Sequence, residues 1–404
     1  MSYIERTLER VIRRAAREFP VVVLTGPRQS GKTTLLKHLF ARNHRYVSLE
    51  APDVWAAAAG DPRGFLESYP PPVVFDEVQY APALLPYIKE RVDADRGRAG
   101  QYILTGSQNL LVVQGITESL AGRAAMLRLL PMSYREVSGI PHASLPWERR
   151  TSPRRKGPVY EKLWESFLRG GYPEMAANPK RDAALWHASY VQTYLERDVR
   201  SLRQIGDLGQ FQLFLRALAT RSAQLLSLAD LSRDLGIALN TARAWLSILE
   251  ATYQVIVLRP YFANVGKRLV KTPKVYFGDV GTLCYLAGLR DPAHAMAGPM
   301  GGAIMETAVV SEIVRTLTHA GREPQIYFWR TSTGTEVDLV VDTGTELIPI
   351  EVKLSTTPNR NMAKGIEAFR RDFGKRAAKG YVVHPGDTKL PVGPDAVALP
   401  FMAL

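Results

Sequence analysis

The stretch GPRQSGKT, residues 26–33, decides the fold, because it has the form G-x-x-x-x-G-K-T of a phosphate-binding P-loop. The apolar run at 22–25 predicts a buried strand before it, and the run at 34–40 predicts a helix after it. Glycines let the backbone N–H groups turn towards phosphates, and the helix start adds partial positive charge. Lys32 is expected to reach the β- and γ-phosphates, and Thr33 to offer its hydroxyl to Mg²⁺. The predicted nucleotide-binding residues here are Gly26, Pro27, Arg28, Gln29, Ser30, Gly31, Lys32, Thr33 and Thr34.

Two further strand ends carry polar residues suited to the same site. The run VVFDEVQ at 73–79 predicts a strand that ends in two acids. Asp76 would hold Mg²⁺ through water or through Thr33, and Glu77 would polarise the attacking water. A solvated acidic turn is the alternative. The strand at 101–107 would bring Thr105 or Ser107 to the γ-phosphate, unless it ends in an ordinary Ser/Gly turn.

Length, composition and charge limit the classes of protein to which this chain can belong. The 404 residues suggest two or three domains, and 46% hydrophobic with 23% charged residues is typical of a globular protein. No apolar run approaches the roughly 18–20 residues of a transmembrane helix, so no membrane role is expected. A single cysteine, Cys284, fits a cytoplasmic location. The net charge of +13 favours a polyanionic partner, DNA above all.

The order of these motifs, continued by LTGSQ at 104–108 and SLAGR at 119–123, resembles an AAA+-type ATPase family common in bacteria and archaea. The resemblance extends to GGYPE at 170–174 and YLERDV at 194–199. It implies an ATP-dependent motor or switch that forms a homo-oligomer, with a hexameric ring favoured. In such a ring Arg123 would act in trans on the neighbour's γ-phosphate; the alternative is a structural ion pair.

The middle of the chain predicts a winged helix. A Pro- and Arg-rich stretch at 141–158 predicts a linker, and helical patterns follow it. The runs 227–236 and 240–249 predict a helix-turn-helix, and a strand follows. The second helix could enter a DNA groove or pack against protein. Four basic residues just before the next predicted strand could contact phosphates or be solvated: Lys267, Arg268, Lys271 and Lys274.

The last third predicts a second chemical site. In the run 346–354 the strand period places Glu351 and Lys353 on one face, beside Asp338 of the preceding strand. Asp338 and Glu351 could bind Mg²⁺ through oxygen, with Glu306 completing the shell from a helix. Lys353 could orient or deprotonate a water molecule.

This constellation is similar to the PD-(D/E)XK nuclease superfamily, although Val337 stands where the pattern has proline. The resemblance implies Mg²⁺-dependent hydrolysis of DNA phosphodiesters, with Asp338, Glu351 and Lys353 as catalytic residues. The alternative is a Glu351–Lys353 salt bridge in a nuclease-like fold without activity.

The sequence thus predicts an α/β protein in three parts. These are a P-loop AAA+-type ATPase with a parallel sheet (1–140), a helical connector with a winged helix (141–265), and a restriction-endonuclease-like domain (266–404). The favoured function is ATP hydrolysis coupled to cleavage of DNA, including branched DNA. The alternatives are a nucleotide-gated DNA- or protein-binding switch with an inactive nuclease-like tail, and a protein-remodelling ATPase.

Overall fold

The computed structural model describes residues 3–106, 119–148, 160–195, 208–261 and 271–404. Within these ranges the strands form three sheets, of five, three and six strands in chain order. None of the helices within these ranges has the combination of length and hydrophobicity that a membrane span requires.

The N-terminal sheet is parallel and has the order β2-β3-β4-β1-β5. Its strands are β1 (Val21–Thr25), β2 (Arg45–Ser48), β3 (Val73–Asp76), β4 (Tyr102–Thr105) and β5 (Ala124–Arg128). The helices around it are α1 (Leu8–Glu18), α2 (Lys32–Phe40), α3 (Pro52–Gly60), α4 (Pro62–Ser68) and α5 (Leu84–Ala94). Separate apolar clusters cover the two faces, one with α1 and α2 and one with α3 to α5. Buried on both faces, β1, β3 and β4 read as continuous apolar runs.

The middle part is helical and carries a small antiparallel sheet, β6-β8-β7. Its strands are β6 (Gln224–Leu225), β7 (Val255–Leu258) and β8 (Lys274–Phe277). Its helices are α6 (Tyr134–Val137), α7 (Tyr160–Arg169), α8 (Pro173–Ala177), α9 (Ala183–Tyr190), α10 (Leu208–Ala219), α11 (Leu228–Leu235) and α12 (Leu239–Ala251), with a π-helical turn at Val191–Leu195. Ser227 caps α11 and the left-handed Gly236 ends it, as predicted. The helix, turn, helix and strand order predicted for a winged helix is therefore present.

The C-terminal sheet is mixed and has the order β13-β14-β12-β11-β10-β9. Its strands are β9 (Ile326–Arg330), β10 (Glu336–Asp342), β11 (Leu347–Val352), β12 (Gly380–His384), β13 (Leu390–Pro391) and β14 (Ala396–Pro400). The helices of this part are α13 (Val280–Leu286), α14 (Pro292–Ala297), α15 (Gly301–His319) and α16 (Lys364–Phe373). Short 3₁₀ turns lie at Val78–Tyr80, Pro146–Glu148, Arg360–Ala363, Gly374–Arg376 and Phe401–Ala403.

One large apolar cluster joins the middle and C-terminal parts. It runs from Leu145 to Leu404 and includes residues of α10, α12, β8, α15 and β11. The strand β8, which the sequence analysis assigned to the last domain, pairs with β7 and β6 of the winged helix. The wing and the C-terminal sheet thus share a core, while the domain boundaries themselves stay a prediction.

A buried polar cluster joins the N-terminal part to α15. Glu136 lies 3.2 Å from both Arg6 Nε and His319 Nδ1, and its side chain is fully buried. On the same helix, Glu312 accepts a hydrogen bond from the Tyr134 N–H, and Arg315 donates to the Met132 carbonyl oxygen. The helix α15 therefore contacts the segment that follows β5.

Candidate functional site

The P-loop curls around its own lysine. A Cβ at Gly26 (φ 144°) would lie 2.1 Å from the Leu129 carbonyl oxygen, so only glycine fits there. Gly31 (φ 93°) turns the chain into α2, which begins at Lys32. The buried Lys32 ammonium donates 3.0 Å hydrogen bonds to the carbonyl oxygens of Gly26 and Pro27. The ammonium therefore lies inside the predicted phosphate-binding loop.

Three hydroxyl groups hold the Asp76 carboxylate at the end of β3. Thr33 Oγ1 donates to Asp76 Oδ2 over 2.7 Å, and the hydroxyls of Tyr46 and Thr105 donate to the same carboxylate. Asp76 is buried and depends on these donors in place of water. Burial and the neighbouring Asp76 raise the pKa of Tyr46 above its ordinary value, which keeps its hydroxyl protonated as a donor.

The two oxygen ligands predicted for Mg²⁺ fit that ion. The Thr33 and Asp76 oxygens are 2.7 Å apart, which suits neighbouring ligands in an octahedral shell with metal–oxygen distances of about 2.1 Å. Protein sites for Mg²⁺ commonly supply one or two carboxylates and leave the remaining positions to phosphate oxygens and water. Thr33 and Asp76 would therefore hold the ion.

Glu77 adopts a backbone conformation that is rare for a residue with a side chain. Its φ is 59°, in the left-handed region, and its N–H donates to Thr105 Oγ1 over 3.2 Å. Its half-buried carboxylate accepts a hydrogen bond from Gln79 and lines the same cavity as Lys32. A carboxylate at this position can polarise a water molecule.

The nucleotide pocket is a cavity of about 650 Å³. The predicted residues that line it are Arg28, Gln29, Gly31, Lys32, Thr33, Thr34 and Glu77. Gly26, Pro27 and Ser30 contribute backbone carbonyl groups to the loop, which Lys32 and Arg6 contact. Ser107 lies outside the described residues, so its contact with the γ-phosphate stays a prediction.

Several residues that line this cavity were not predicted, among them Tyr3, Arg6, Pro173 and Glu174. Pro173 Cγ would lie 3.3 Å from a Cβ at Gly31, so the GGYPE segment packs on the P-loop. That segment was visible only as part of the family resemblance. Arg6 donates to the Ser30 carbonyl oxygen over 2.9 Å and to the Leu130 carbonyl oxygen over 2.8 Å. Arg6 thus ties the P-loop to the buried Glu136 cluster.

Arg123, predicted to act in trans, pairs with Asp93 in the same chain. Its Nε and Nη2 atoms lie 2.7 and 2.8 Å from the two carboxylate oxygens of Asp93. This bidentate contact lowers the pKa of Asp93 to about 2. Arg123 does not line the nucleotide cavity of its own chain. A role in trans stays a prediction and would require Arg123 to leave Asp93.

The second predicted site forms a pocket at the C-terminal sheet, named here the carboxylate pocket after Glu306, Glu336, Asp338 and Glu351. Lys353 Nζ lies 2.5 Å from Glu351 Oε2 and 3.9 Å from Asp338 Oδ2. The Val352 N–H donates to Asp338 Oδ2 over 2.8 Å. The strand period predicted that Glu351 and Lys353 lie beside Asp338, and in the structure these three side chains are close together.

Two residues of β8, Lys274 and Tyr276, contact acids of this pocket and were not predicted to do so. Lys274 Nζ lies 2.9 Å from Glu306 Oε1, in contact with Glu336, and 4.0 Å from Asp338 Oδ1. The Tyr276 hydroxyl donates to Glu306 over 2.6 Å. Lys274 was predicted to belong to a basic cluster that contacts phosphates or is solvated, and both alternatives are wrong for it, because it is only 3% exposed and faces acids. Of that cluster, Lys267 and Arg268 lie outside the described residues.

The carboxylate pocket does not fit the predicted Mg²⁺ ion in this structure. The ammonium of Lys274 contacts Glu306 and Glu336, and that of Lys353 contacts Glu351. In the part of the chain that the structure describes, no group of three or more His, Cys, Asp or Glu side chains could hold a metal ion. Burial, reinforced by Asp338, raises the pKa of Glu306 to about 7 and of Glu351 to about 8.

Comparisons with known proteins match three segments of the chain. Residues 18–138 match the family described as an AAA domain, and residues 160–293 and 301–404 match two domains of unknown function, DUF8612 and DUF4143. The uncharacterized proteins Rv2008c of Mycobacterium tuberculosis and Mb2031c of Mycobacterium bovis are each 32% identical over 391 residues. The match covers 96% of this chain and 82% of each relative.

The chain belongs to the family of these two mycobacterial proteins. Its N-terminal part is an AAA-type P-loop ATPase domain, as the motif order predicted. Solved structures are more distant. A Walker-type ATPase of Pyrococcus abyssi has a TM-score of 0.46 at 17% identity, and the match covers 70% of this chain and 96% of that one. A RuvB variant of Thermotoga maritima has a TM-score of 0.29 at 16% identity, and the match covers 62% of this chain and 86% of that one. At these scores they add nothing to the fold described above.

Proposed function

We propose that this family member hydrolyses ATP with Mg²⁺ and uses the nucleotide cycle to act on DNA. The observation that carries the proposal is the Thr33–Asp76 contact of 2.7 Å, with Glu77 beside it in the P-loop cavity. Hydroxyl and carboxylate oxygens suit Mg²⁺, and the next carboxylate can serve a water molecule.

Each residue of the P-loop site has a distinct role in this proposal. Lys32 would exchange its present carbonyl partners for the β- and γ-phosphates. Thr33 and Asp76 would hold Mg²⁺, which neutralises charge on the phosphate oxygens when bound. Glu77 would orient the attacking water and accept its proton. Thr105 accepts a hydrogen bond from the Glu77 N–H and donates one to the Asp76 carboxylate, so it would hold the two acids in position relative to each other.

A Glu77→Gln variant tests hydrolysis most directly. We expect kcat to fall by about 10²- to 10⁴-fold, the usual contribution of a general base, while ATP still binds. Glu346→Gln, in the exposed turn between β10 and β11, is the matched control and should hydrolyse ATP like the wild type. Wild-type hydrolysis by Glu77→Gln would contradict the assigned role.

DNA is the proposed partner because of charge and shape. The net charge is +13, and the second helix of the helix-turn-helix exposes Asn240 and Arg243. A homo-hexameric ring in the cytoplasm, with Arg123 acting on a neighbouring subunit, belongs to the same proposal. Binding of duplex DNA should weaken steeply with salt, and Arg243→Gln should weaken it further than the control Arg96→Gln. Salt-insensitive or absent binding would favour a protein-remodelling ATPase.

Cleavage of DNA is the second candidate function. The observation in its favour is the convergence of Asp338, Glu351 and Lys353 in one pocket, since these are the residue types that Mg²⁺-dependent cleavage requires. A nuclease assay on linear, forked and four-way DNA, with Mg²⁺ alone and with Mg²⁺ plus ATP, tests it. If the wild type cuts DNA and the Glu351→Ala variant does not, the activity is established. ATP hydrolysis and DNA binding without cutting would leave the domain as a binding module.

A further inference from the structure

We infer that Lys274 is the resident cation of the carboxylate pocket and keeps divalent metal ions out of it. The inference concerns the C-terminal pocket alone and holds whether or not the P-loop site hydrolyses ATP. It opposes the second candidate function, because Mg²⁺-dependent cleavage of DNA would need a divalent ion in this pocket. It assigns a metal-excluding role to a strand of the winged helix, outside the motif on which the nuclease resemblance rests.

The position of the ammonium group carries the inference. Lys274 Nζ lies 2.9 Å from Glu306, contacts Glu336 and is 4.0 Å from Asp338, so it faces three of the four carboxylates. A divalent ion bound to those oxygens at about 2.1 Å would share the space of the ammonium and meet its positive charge. Mg²⁺ and Lys274 therefore compete for the same oxygens.

The ammonium is also well packed. The ring of Phe328 lies 5.7 Å from Nζ, and the Tyr276 hydroxyl occupies the adjoining face of Glu306. The lysine thus has ionic, aromatic and packing contacts in one orientation.

The backbone of Lys274 is fixed from both sides. In β8 it stands opposite Leu225 of β6 and Leu258 of β7. If the strand moved to withdraw the side chain, the pairing in the antiparallel sheet β6-β8-β7 would break. Lys353 differs, because it follows the end of β11 and its side chain is 36% exposed against 4% for Lys274.

The remaining carboxylates are compensated as well. Arg330 Nη1 lies 2.8 Å from Glu336 Oε2, and Lys353 lies 2.5 Å from Glu351 Oε2. Asp338 accepts a backbone N–H and has an ammonium on each side, at 3.9 and 4.0 Å. A hard divalent cation needs oxygen ligands whose negative charge is available. The pocket offers that charge to its own lysines instead.

The test counts Mn²⁺ bound to the nucleotide-free full-length chain, by electron paramagnetic resonance of free Mn²⁺. We expect the wild type and Lys274→Arg to show no Mn²⁺ that depends on Asp338, as judged against an Asp338→Asn variant. Lys274→Met should gain about one Mn²⁺ per chain, and adding Asp338→Asn should abolish the gain. A folded Lys274→Met chain that gains no ion would overturn the inference.

The wild-type comparison decides the matter if Lys274→Met fails to fold. An ion that the wild type binds and Asp338→Asn loses would show that Lys274 does not exclude metal. Equal Mn²⁺ binding by those two chains upholds the inference. Because nucleotide is absent throughout, neither result depends on ATP hydrolysis, and loss of hydrolysis in Glu77→Gln leaves the count unchanged.

Discussion

The P-loop site and the carboxylate pocket both place acids near a lysine, but they pair those acids differently. In the P-loop site, the hydroxyls of Thr33, Tyr46 and Thr105 hold the Asp76 carboxylate, and Lys32 bonds to loop carbonyls. In the carboxylate pocket, ammonium groups contact the acids directly. Hydroxyl donors are neutral and leave the charge of a carboxylate in place, whereas ammonium groups cancel it.

The difference teaches that an acidic motif does not by itself make a metal site. The partner of each carboxylate decides whether negative charge remains for an ion. At the P-loop the partners lie on α2, β2 and β4 of the same sheet and its helix. At the carboxylate pocket the deciding partner comes from the winged helix. The two lysines, Lys32 and Lys274, should therefore respond differently to removal.

The largest effect is expected from Lys274→Met. Removing this buried ammonium takes away the lysine partner of Glu306 and leaves Glu336 paired with Arg330, and breaking a buried ion pair typically costs about 3–5 kcal/mol. We expect the free energy of unfolding to fall by that order in urea denaturation. Lys353→Met is the matched control in the same pocket; it is partly exposed and should cost about 1 kcal/mol. Equal costs for the two variants would mean that Lys274 is not the central cation.

Lys32→Ala should show the opposite pattern, with loss of binding rather than of stability. A charge-assisted hydrogen bond contributes about 1.5–3 kcal/mol, which predicts a loss of roughly 10- to 100-fold in ATP affinity. Lys32 donates to two loop carbonyl oxygens, which are neutral acceptors, so the unfolding midpoint should change less than in Lys274→Met. Equilibrium binding of a fluorescent ATP analogue measures the loss, with the exposed Lys389→Ala as control. Unchanged affinity would remove Lys32 from the phosphate site.

The P-loop site was predictable because its geometry is local. Eight consecutive residues fix the loop, and an adjacent strand end supplies Asp76 and Glu77. The strand order of a parallel sheet then brings these segments together. The same reasoning holds for Glu351 and Lys353, which the period of one strand places on one face. Glu336 shares the face of Asp338 at the same period, so its place in the pocket was also accessible from the sequence.

Other residues of the two sites have no local signal. Lys274 enters the carboxylate pocket because β8 pairs inside the wing sheet and packs against α15, which no periodicity in its own segment indicates. Arg6 reaches the carbonyl oxygen of Leu130, more than a hundred residues away in sequence. A basic residue in this sequence context is typical of a solvated surface, and only the tertiary contacts show that Lys274 is a buried partner of carboxylates.

The pH dependence of the Glu136 cluster is a smaller effect that links the two regions. Although burial opposes it, Arg6 and His319 hold the pKa of Glu136 well below its ordinary value of 4.5. The stabilisation is therefore present above pH 4.5 and is lost as the pH falls towards the folded-state pKa. Between pH 6 and pH 3.5 the wild type should lose about 1 kcal/mol more than Glu136→Gln.

Urea unfolding of both chains across that range measures the difference. Glu346→Gln, which replaces an exposed carboxylate, should follow the wild-type profile and is the control. Parallel profiles for the wild type and Glu136→Gln would mean that Glu136 titrates normally in the folded chain. The buried cluster would then not be an acid-sensitive contact between α15 and the P-loop side.

The smallest effect on stability is expected from Arg123→Ala. Its partner Asp93 lies at the surface, and exposed ion pairs contribute little, so Tm should shift by less than about 2 °C. Asp93→Ala removes the same ion pair and keeps the arginine, so it is the matched control.

If the ion pair is the whole role of Arg123, both variants should hydrolyse ATP alike. If Arg123 acts in trans, Arg123→Ala alone should lose hydrolysis, by a factor that can reach 10³ or more. Mixing it with Lys32→Ala chains should then restore activity, since each chain supplies what the other lacks.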